Sequence, residues 1–124
     1  MTARDTGAQW EAAAAAHLQQ AGLQPLARNF NCRLGEIDLV MSERDCTIFV
    51  EVRYRNSAAH GDGADSVGPA KRAKLLRAAQ VWLLRHPQRA AQACRFDVIA
   101  CSGTPDKPVF DWIRNAFEVE HGAF

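Results

Sequence analysis

Two acidic side chains, Asp38 and Glu51, stand in neighbouring segments whose alternation of polar and apolar residues is typical of β-strands. The segments span residues 36–41 (EIDLVM) and 47–53 (TIFVEVR), and the polar residues between them fit a hairpin turn. Opposed residues of an antiparallel pair have numbers with a constant sum, so a turn centred between residues 44 and 45 places Asp38 opposite Glu51. Because facing side chains have Cβ atoms about 4.5–5.5 Å apart, the hairpin predicts two adjacent carboxylates.

Two carboxylates at this separation repel each other, so the pair requires a compensating cation. Mg²⁺ is one candidate, because it accepts a few carboxylates, a carbonyl and waters in octahedral geometry. A structural ion pair is the other, since the same register places Glu36 opposite Arg53, which could pair with Glu36 or bridge both acids. The spacing alone leaves both interpretations open.

Basic side chains are concentrated in one part of the chain. The 124 residues contain 15 Lys and Arg and 14 Asp and Glu, but residues 67–95 hold seven basic side chains and no acidic one. In the helix predicted there, Lys71, Lys74, Arg77 and Arg85 fall on one stripe. This stripe fits contacts with the phosphates of a polyanion, and it equally fits a solvated helix face.

Apolar periodicity predicts the elements that carry these residues. A first helix begins at Thr6, with Glu11 beside Trp10 at the edge of its apolar face, and a second helix begins at Pro69. Strands are predicted at residues 26–30, 36–41, 47–53, 95–101 and 109–113, and a loop rich in Gly and Ser at residues 54–69.

Strict alternation in the second strand predicts which side chains share a face. Ile37, Leu39 and Met41 should lie on one face of the sheet, and Asp38 and Val40 should lie on the other. The order helix, three strands, helix, strand predicts an α/β fold with helices packed on a mixed sheet.

Length and composition favour one domain over residues 1–124, with a core at about 6–113 and a loose tail at about 117–124. No apolar run approaches the roughly 20 residues of a membrane helix. The N-terminal residues lack the apolar region of a secretory signal, which favours a cytoplasmic protein away from the membrane. The four cysteines lack zinc-finger spacing.

Several longer motifs resemble those of a known family. They are G-x-x-x-E at residues 7–11, ARNF at 27–30, GEIDLV at 35–40, FVEVRYR at 49–55, Lys71 with the LLRAAQVWL that follows, and RFDVIA at 95–100. Together they resemble the YraN-like family of uncharacterised bacterial proteins, which is placed in the PD-(D/E)xK nuclease superfamily. The resemblance implies a restriction endonuclease-like three-layer core with the order αβββαβ.

The resemblance also implies an activity, the hydrolysis of phosphodiester bonds with Mg²⁺ or Mn²⁺ in DNA or RNA, with DNA favoured. Asp38 and Glu51 match the metal-binding acids of the superfamily, and the carbonyl of Val52 would complete the protein ligands. Glu11 matches an acid on the first helix that acts directly or through water. Lys71, Lys74, Arg77, Arg55 and Tyr54 are the residues predicted to contact nucleic acid.

Arg53 departs from the superfamily pattern, which has Lys at this position. Arginine keeps the positive charge that stabilises a transition state, but it cannot act as a general base near neutral pH. An alternative function is therefore a catalytically weak or inactive nucleic-acid-binding domain on the same scaffold. A third is a protein-binding scaffold in which Arg53 and Glu36 hold the acids. Junction-cleaving relatives act as dimers, and the oligomeric state stays open.

Overall fold

The chain forms a sheet with one long helix on each face. A computed structural model of the chain describes the backbone of residues 3–54 and 67–117, with side chains from residue 7 onward. In these residues the helices are α1 (Ala3–Gln20), α2 (Pro69–Leu84) and the single-turn α3 (Pro87–Ala90). The strands are β1 (Gln24–Cys32), β2 (Gly35–Glu43), β3 (Cys46–Tyr54), β4 (Cys94–Thr104) and β5 (Lys107–Phe117).

The five strands lie in the order in which they occur in the chain. The pairs β1–β2, β2–β3 and β4–β5 are antiparallel, whereas β3–β4 is parallel, with α2 and α3 in the connection between them. The predicted order αβββαβ and the mixed sheet flanked by helices are confirmed, and they are consistent with a restriction endonuclease-like core.

Two boundaries differ from the prediction. The first helix begins at Ala3 instead of Thr6, because the residues before Thr6 contain no Gly or Pro that would stop it. The last strand runs over Lys107–Phe117 instead of residues 109–113, because its pairing with β4 continues into polar positions that the apolar pattern does not mark. Residues 118–124 of the predicted tail and 55–66 of the predicted loop lie outside the described residues.

Each helix covers its own hydrophobic cluster on the sheet. The α1 cluster includes Trp10, Ala14, Leu18, Leu39, Met41, Ile48, Val50 and Ile99. The α2 cluster includes Ile37, Val40, Phe49, Leu75, Ala79, Trp82, Phe96 and Val98. The helix α1, the sheet and the helix α2 are thus the three layers of the predicted core, and one cluster lies at each interface between them. No helix in the described ranges is long and apolar enough to cross a membrane.

The predicted alternation of β2 is wrong at one residue. Leu39 and Met41 pack in the α1 cluster as expected, but Ile37 packs in the α2 cluster together with Val40. The two residues of β2 that face α2 are therefore three positions apart instead of two. The phase of the strand changes between Ile37 and Leu39, which is where Asp38 lies.

The neighbouring strand β1 changes phase at the same level, where Ala27 and Phe30 both pack towards α2 although they are three residues apart. Between them, Asn29 has a φ of 51°, in the left-handed region that disturbs the two-residue repeat of a strand. The partner pairs Arg28↔Leu39 and Phe30↔Ile37 lie on either side of it. The sheet is thus locally irregular at the level of Asp38.

Candidate functional site

The hairpin of β2 and β3 brings Asp38 to a gap in the strand ladder. The predicted register is confirmed from Leu39↔Val50 to Glu43↔Cys46. Next to this ladder, the N–H of Val52 donates a hydrogen bond to Oδ2 of Asp38 at 2.8 Å. Because the N–H and C=O of one strand residue point to the same edge, the carbonyl of Val52 also faces Asp38. The carbonyl of Val52 is therefore turned to the same side of β3 as the carboxylate of Asp38.

Glu51 lies beside this gap and is almost fully buried, with 5% of its surface exposed. Two cations flank one of its oxygens, Oε1: the Nζ of Lys71 lies 3.5 Å away and a guanidinium nitrogen of Arg53 lies 3.7 Å away. The other oxygen, Oε2, is buried and has no hydrogen-bond partner among the described residues. The structure thus pairs Arg53 with Glu51, whereas the sequence suggested Glu36 or a bridge between both acids.

Glu11 reaches the same region from α1. Its side chain hydrogen-bonds to Asn29, and the negative charge of Asp38 is close enough to affect its titration. Oε2 of Glu11 is also buried without a hydrogen-bond partner in the part of the chain that the structure describes. Asn29 is a residue of the site that the sequence patterns did not indicate. An Asn inside a predicted strand was the available signal, because Asn tolerates left-handed backbone and often marks an irregularity.

The three acids share an unfavourable environment for negative charge. Burial raises the pKa of Glu51 to about 7, and the charge of Asp38 adds to this rise, while Lys71 and Arg53 oppose it. Burial also raises the pKa of Asp38, against the hydrogen bond from Val52. For Glu11, burial and then the charge of Asp38 raise the pKa. The cluster therefore favours binding of a proton or a cation.

The ligands that this cluster offers fit Mg²⁺ or Mn²⁺ in number and kind. No three His, Cys, Asp or Glu side chains within residues 3–54 and 67–117 form a metal-holding group by themselves. Mg²⁺ needs fewer, because it is commonly held by one or two carboxylates and keeps several waters. Asp38, Glu51 and the Val52 carbonyl make such a set, and Glu11 would act through water. The unpartnered oxygens of Glu51 and Glu11 are the structural feature that a cation would satisfy.

The residues predicted to contact nucleic acid occupy different places. Lys71 belongs to the acid cluster, whereas Lys74 and Arg77 are exposed further along α2. The ring of Tyr54 packs on Trp10 with the ring centres 4.9 Å apart and remains 49% exposed. Arg55 lies outside the described residues. The exposed Glu36 lines a cavity of about 380 Å³ together with Lys71 and Lys74, among others.

Gly35 is a second residue that the sequence argument missed as a determinant of the site. A Cβ atom at this position would lie 2.8 Å from the backbone carbonyl of Lys74. The start of β2 therefore touches the backbone of α2, and this contact positions Lys71 near the acids. Glycine at the head of the GEIDLV motif was the signal for such a close approach.

Asp97 shows how a buried acid with a structural role differs from the cluster. It is 1% exposed, and Arg95 donates to both of its oxygens at 2.9 and 3.2 Å. The indole N–H of Trp112 and the backbone N–H of Asn115 each donate to it at 2.9 Å. The Asp97 carboxylate is fully satisfied by protein donors, so the unpartnered oxygens of Glu51 and Glu11 are a local property of the acid cluster.

Comparison with known proteins places the chain among bacterial relatives. The sequence model of the uncharacterised protein family UPF0102 matches residues 10–101. A UPF0102 protein of Xanthomonas campestris pv. campestris (strain B100) is 54% identical over 92% of each chain. A UPF0102 protein of Nitrosococcus oceani is 45% identical over 96% of each chain. One from Stutzerimonas stutzeri (strain A1501) is 46% identical over 93% of this chain and 96% of its own.

Proposed function

The chain belongs to the uncharacterised protein family UPF0102, and we propose that it is an endonuclease that hydrolyses phosphodiester bonds in nucleic acid with Mg²⁺ or Mn²⁺. One observation carries the proposal. A buried carboxylate oxygen of Glu51 has no hydrogen-bond partner among the described residues, and the carboxylate of Asp38 lies close enough to raise the pKa of Glu51. A buried carboxylate oxygen without a partner is costly even though Lys71 and Arg53 pair with the other oxygen of Glu51. A hard divalent cation would take this oxygen as a ligand together with Asp38 and the carbonyl of Val52.

In this function, Asp38, Glu51 and the carbonyl of Val52 hold the cation, which when bound polarises the phosphate and lowers the pKa of water. Arg53 and Lys71 place two positive charges at one oxygen of Glu51, at the border of the acid cluster. From there they bind phosphate oxygens and stabilise the negative charge that grows on them in the transition state.

Lys71 is also relevant because Arg53 replaces the lysine of the superfamily pattern. The superfamily pattern has a lysine where this chain has Arg53, and arginine cannot exchange a proton near neutral pH. In this structure α2 supplies a lysine amine 3.5 Å from the same carboxylate. We therefore assign charge stabilisation to both Lys71 and Arg53.

Hydrolysis of labelled single-stranded, branched and duplex substrates with Mg²⁺ or Mn²⁺ tests the proposal. Asp38→Asn keeps an oxygen that can accept from Val52 but removes the charge, so we expect a loss on the order of a hundredfold or more. Asp45→Asn is the matched control, because Asp45 is exposed in the turn at the other end of the hairpin. Equal hydrolysis by both variants would show that the acid cluster is not the active site.

Calorimetric titration of the full chain with Mg²⁺ and Mn²⁺ tests the cation without relying on activity. We expect binding by the parent protein and its loss in Glu51→Gln, with the Asp45→Asn control unchanged. Absence of binding by the parent protein at millimolar Mg²⁺ and Mn²⁺ would contradict the proposal.

A nucleic-acid-binding domain without catalysis is the second candidate function. The observation that favours it is that Arg53 and Lys71 already flank Oε1 of Glu51, so the protein supplies part of the compensating charge itself. Binding of nucleic acid without binding of metal would support this candidate. Metal binding together with new or increased hydrolysis in Arg53→Lys would instead favour the endonuclease.

A further inference from the structure

A groove runs along α2 from Lys71 to Arg85, between this helix and the turn that joins β1 to β2. The turn approaches α2 closely, because a Cβ atom on Gly35 would meet a backbone carbonyl of the helix at 2.8 Å. Next to this contact the turn residues Arg33 and Leu34 are both exposed. The close contact at Gly35 thus holds one wall of the groove against the other.

Two cavities make up the groove. The first, of about 380 Å³, lies between the turn and Lys71 and Lys74. The second, of about 440 Å³, lies between the turn and Val81 and Arg85. Cys32, Arg33 and Leu34 line both cavities, so the turn forms a wall that the two cavities share. Each volume lies within the range of pockets that hold small organic ligands, so each is of the size of about one nucleotide.

Cations predominate among the charged side chains that line the groove. Lys71 and Lys74 lie on α2, Arg85 directly follows its last residue and Arg33 lines both cavities from the turn, whereas Glu36 is the one acid among the lining residues that the structure describes. Arg33 and Lys74 form no ion pair with any described residue. At one end, Lys71 lines the first cavity and its Nζ lies 3.5 Å from Oε1 of Glu51, so this lysine links the end of the groove to the acid cluster.

We propose that this groove binds a single strand of nucleic acid and leads it to the acid cluster. This inference rests on the proposed function and specifies its substrate class. Fourteen residues separate Lys71 from Arg85, which on a helix corresponds to about 21 Å, or roughly six stacked nucleotides. Cations in a line of this length match the phosphates of one strand. The groove admits one strand because each cavity holds about one nucleotide, whereas a duplex would bring a base-paired second strand to the same place.

Leu34 gives the groove a contact for bases as well as for phosphates. Its side chain is 49% exposed at the turn that separates the two cavities. An exposed apolar side chain at this place would lie against the face of an unpaired base, and the base of a closed duplex does not offer that face. The position of Leu34 therefore also favours a single strand over a duplex.

The binding test uses the full chain in EDTA, where hydrolysis does not occur. Fluorescence anisotropy measures the affinity for a labelled 12-nucleotide oligothymidine and for a 12-base-pair duplex between 50 and 300 mM NaCl. The variants are Arg33→Gln and Arg85→Gln. The control is Arg44→Asn, which removes one charge from the turn at the other end of the sheet, where the φ of 56° is tolerated by Asn.

We expect the single strand to bind more tightly than the duplex. Each groove variant should reduce the slope of log K against log salt by about 0.7, which corresponds to a loss of about fivefold at 0.1 M salt relative to 1 M. Arg44→Asn should keep the parent slope. A tighter complex with the duplex, or parent slopes in both groove variants, would overturn the inference.

This result is separable from the test of hydrolysis. If the protein does not bind the single strand as expected in EDTA but still cleaves nucleic acid, the single-strand path is wrong and the proposed endonuclease activity is unaffected. If the protein binds the single strand as expected but does not hydrolyse nucleic acid, the single-strand path is supported and the protein is the binding domain without catalysis.

Discussion

Replacing Glu51 with Gln should change how the stability of the protein depends on pH. The raised pKa of Glu51, about 7 against an ordinary 4.5, means that the folded protein binds this proton more tightly than the unfolded chain does. Stability from this group is therefore complete below pH 4.5 and is lost as the pH rises through about 7. Gln carries no proton in this range and should remove that loss.

The magnitude follows from the two pKa values. Between pH 5 and pH 8, an acid with a pKa of about 7 when folded and 4.5 when unfolded costs roughly 2 to 3 kcal/mol of unfolding free energy. The fall in stability from pH 5 to pH 8 should thus be smaller by this amount in Glu51→Gln than in the parent. Taking the difference between the two pH values cancels hydrogen-bond changes that the substitution makes at every pH.

Urea unfolding in EDTA at pH 5 and pH 8 measures this difference. Glu43→Gln is the matched control, since Glu43 lies at the other end of β2 beside Arg95 and Arg114. In Glu43→Gln the unfolding free energy should fall between pH 5 and pH 8 by the same amount as in the parent protein. Adding Mg²⁺ at pH 8 should stabilise the parent but not Glu51→Gln, because a ligand that binds only the folded state raises its stability.

An unchanged fall in Glu51→Gln would refute the reasoning. It would mean that the buried carboxylate carries no excess cost of ionisation, and that Lys71 and Arg53 already balance the cluster. The case for a missing cation would then lose its physical basis, whatever the protein binds.

Three further substitutions test the structure around the cluster, each by urea unfolding. Gly35→Ala should destabilise by about 1–3 kcal/mol, because its Cβ would meet a backbone carbonyl of α2 at 2.8 Å. Asn29→Ala should be about 1–2 kcal/mol less stable than Asn29→Gly, since only glycine adopts a φ of 51° freely, and both should lose the hydrogen bond to Glu11. Asp97→Ala should cost about 3–5 kcal/mol because Arg95 loses its shorter ion pair and the buried N–H groups of Trp112 and Asn115 lose their acceptor, yet calorimetry should show unchanged metal binding.

Periodicity predicted the fold well because most of the sheet follows regular repeats. The register of β2 and β3 came from a single turn position and is confirmed from Leu39 to Glu43. The helix boundary at Thr6 was wrong, because a capping residue favours a helix start at its position but does not prevent the helix from starting earlier. The ends of β5 were missed because hairpin pairing continues where the apolar pattern stops.

The site was predictable to the extent that it follows the same repeats. Alternation and register indicated that Asp38 and Glu51 would meet. The position of Lys71 against Glu51 could not be read from the sequence, because it depends on where α2 packs. Charge counting placed Lys71 with the other basic residues of the helix, while the close contact at Gly35 brings its amine into the acid cluster.

The change of phase at Asp38 explains why a hairpin can offer its backbone to a ligand. In a regular ladder, the N–H and carbonyl of Val52 would both be used by the neighbouring strand. Here the side chain of Asp38 accepts from the N–H at 2.8 Å. The carbonyl points to the same side of β3, because the N–H and C=O of one strand residue share an edge. The irregular backbone at Asn29, one strand away, accompanies this change. The break in alternation thus gathers oxygen ligands in one gap, which a strand in strict alternation would not provide.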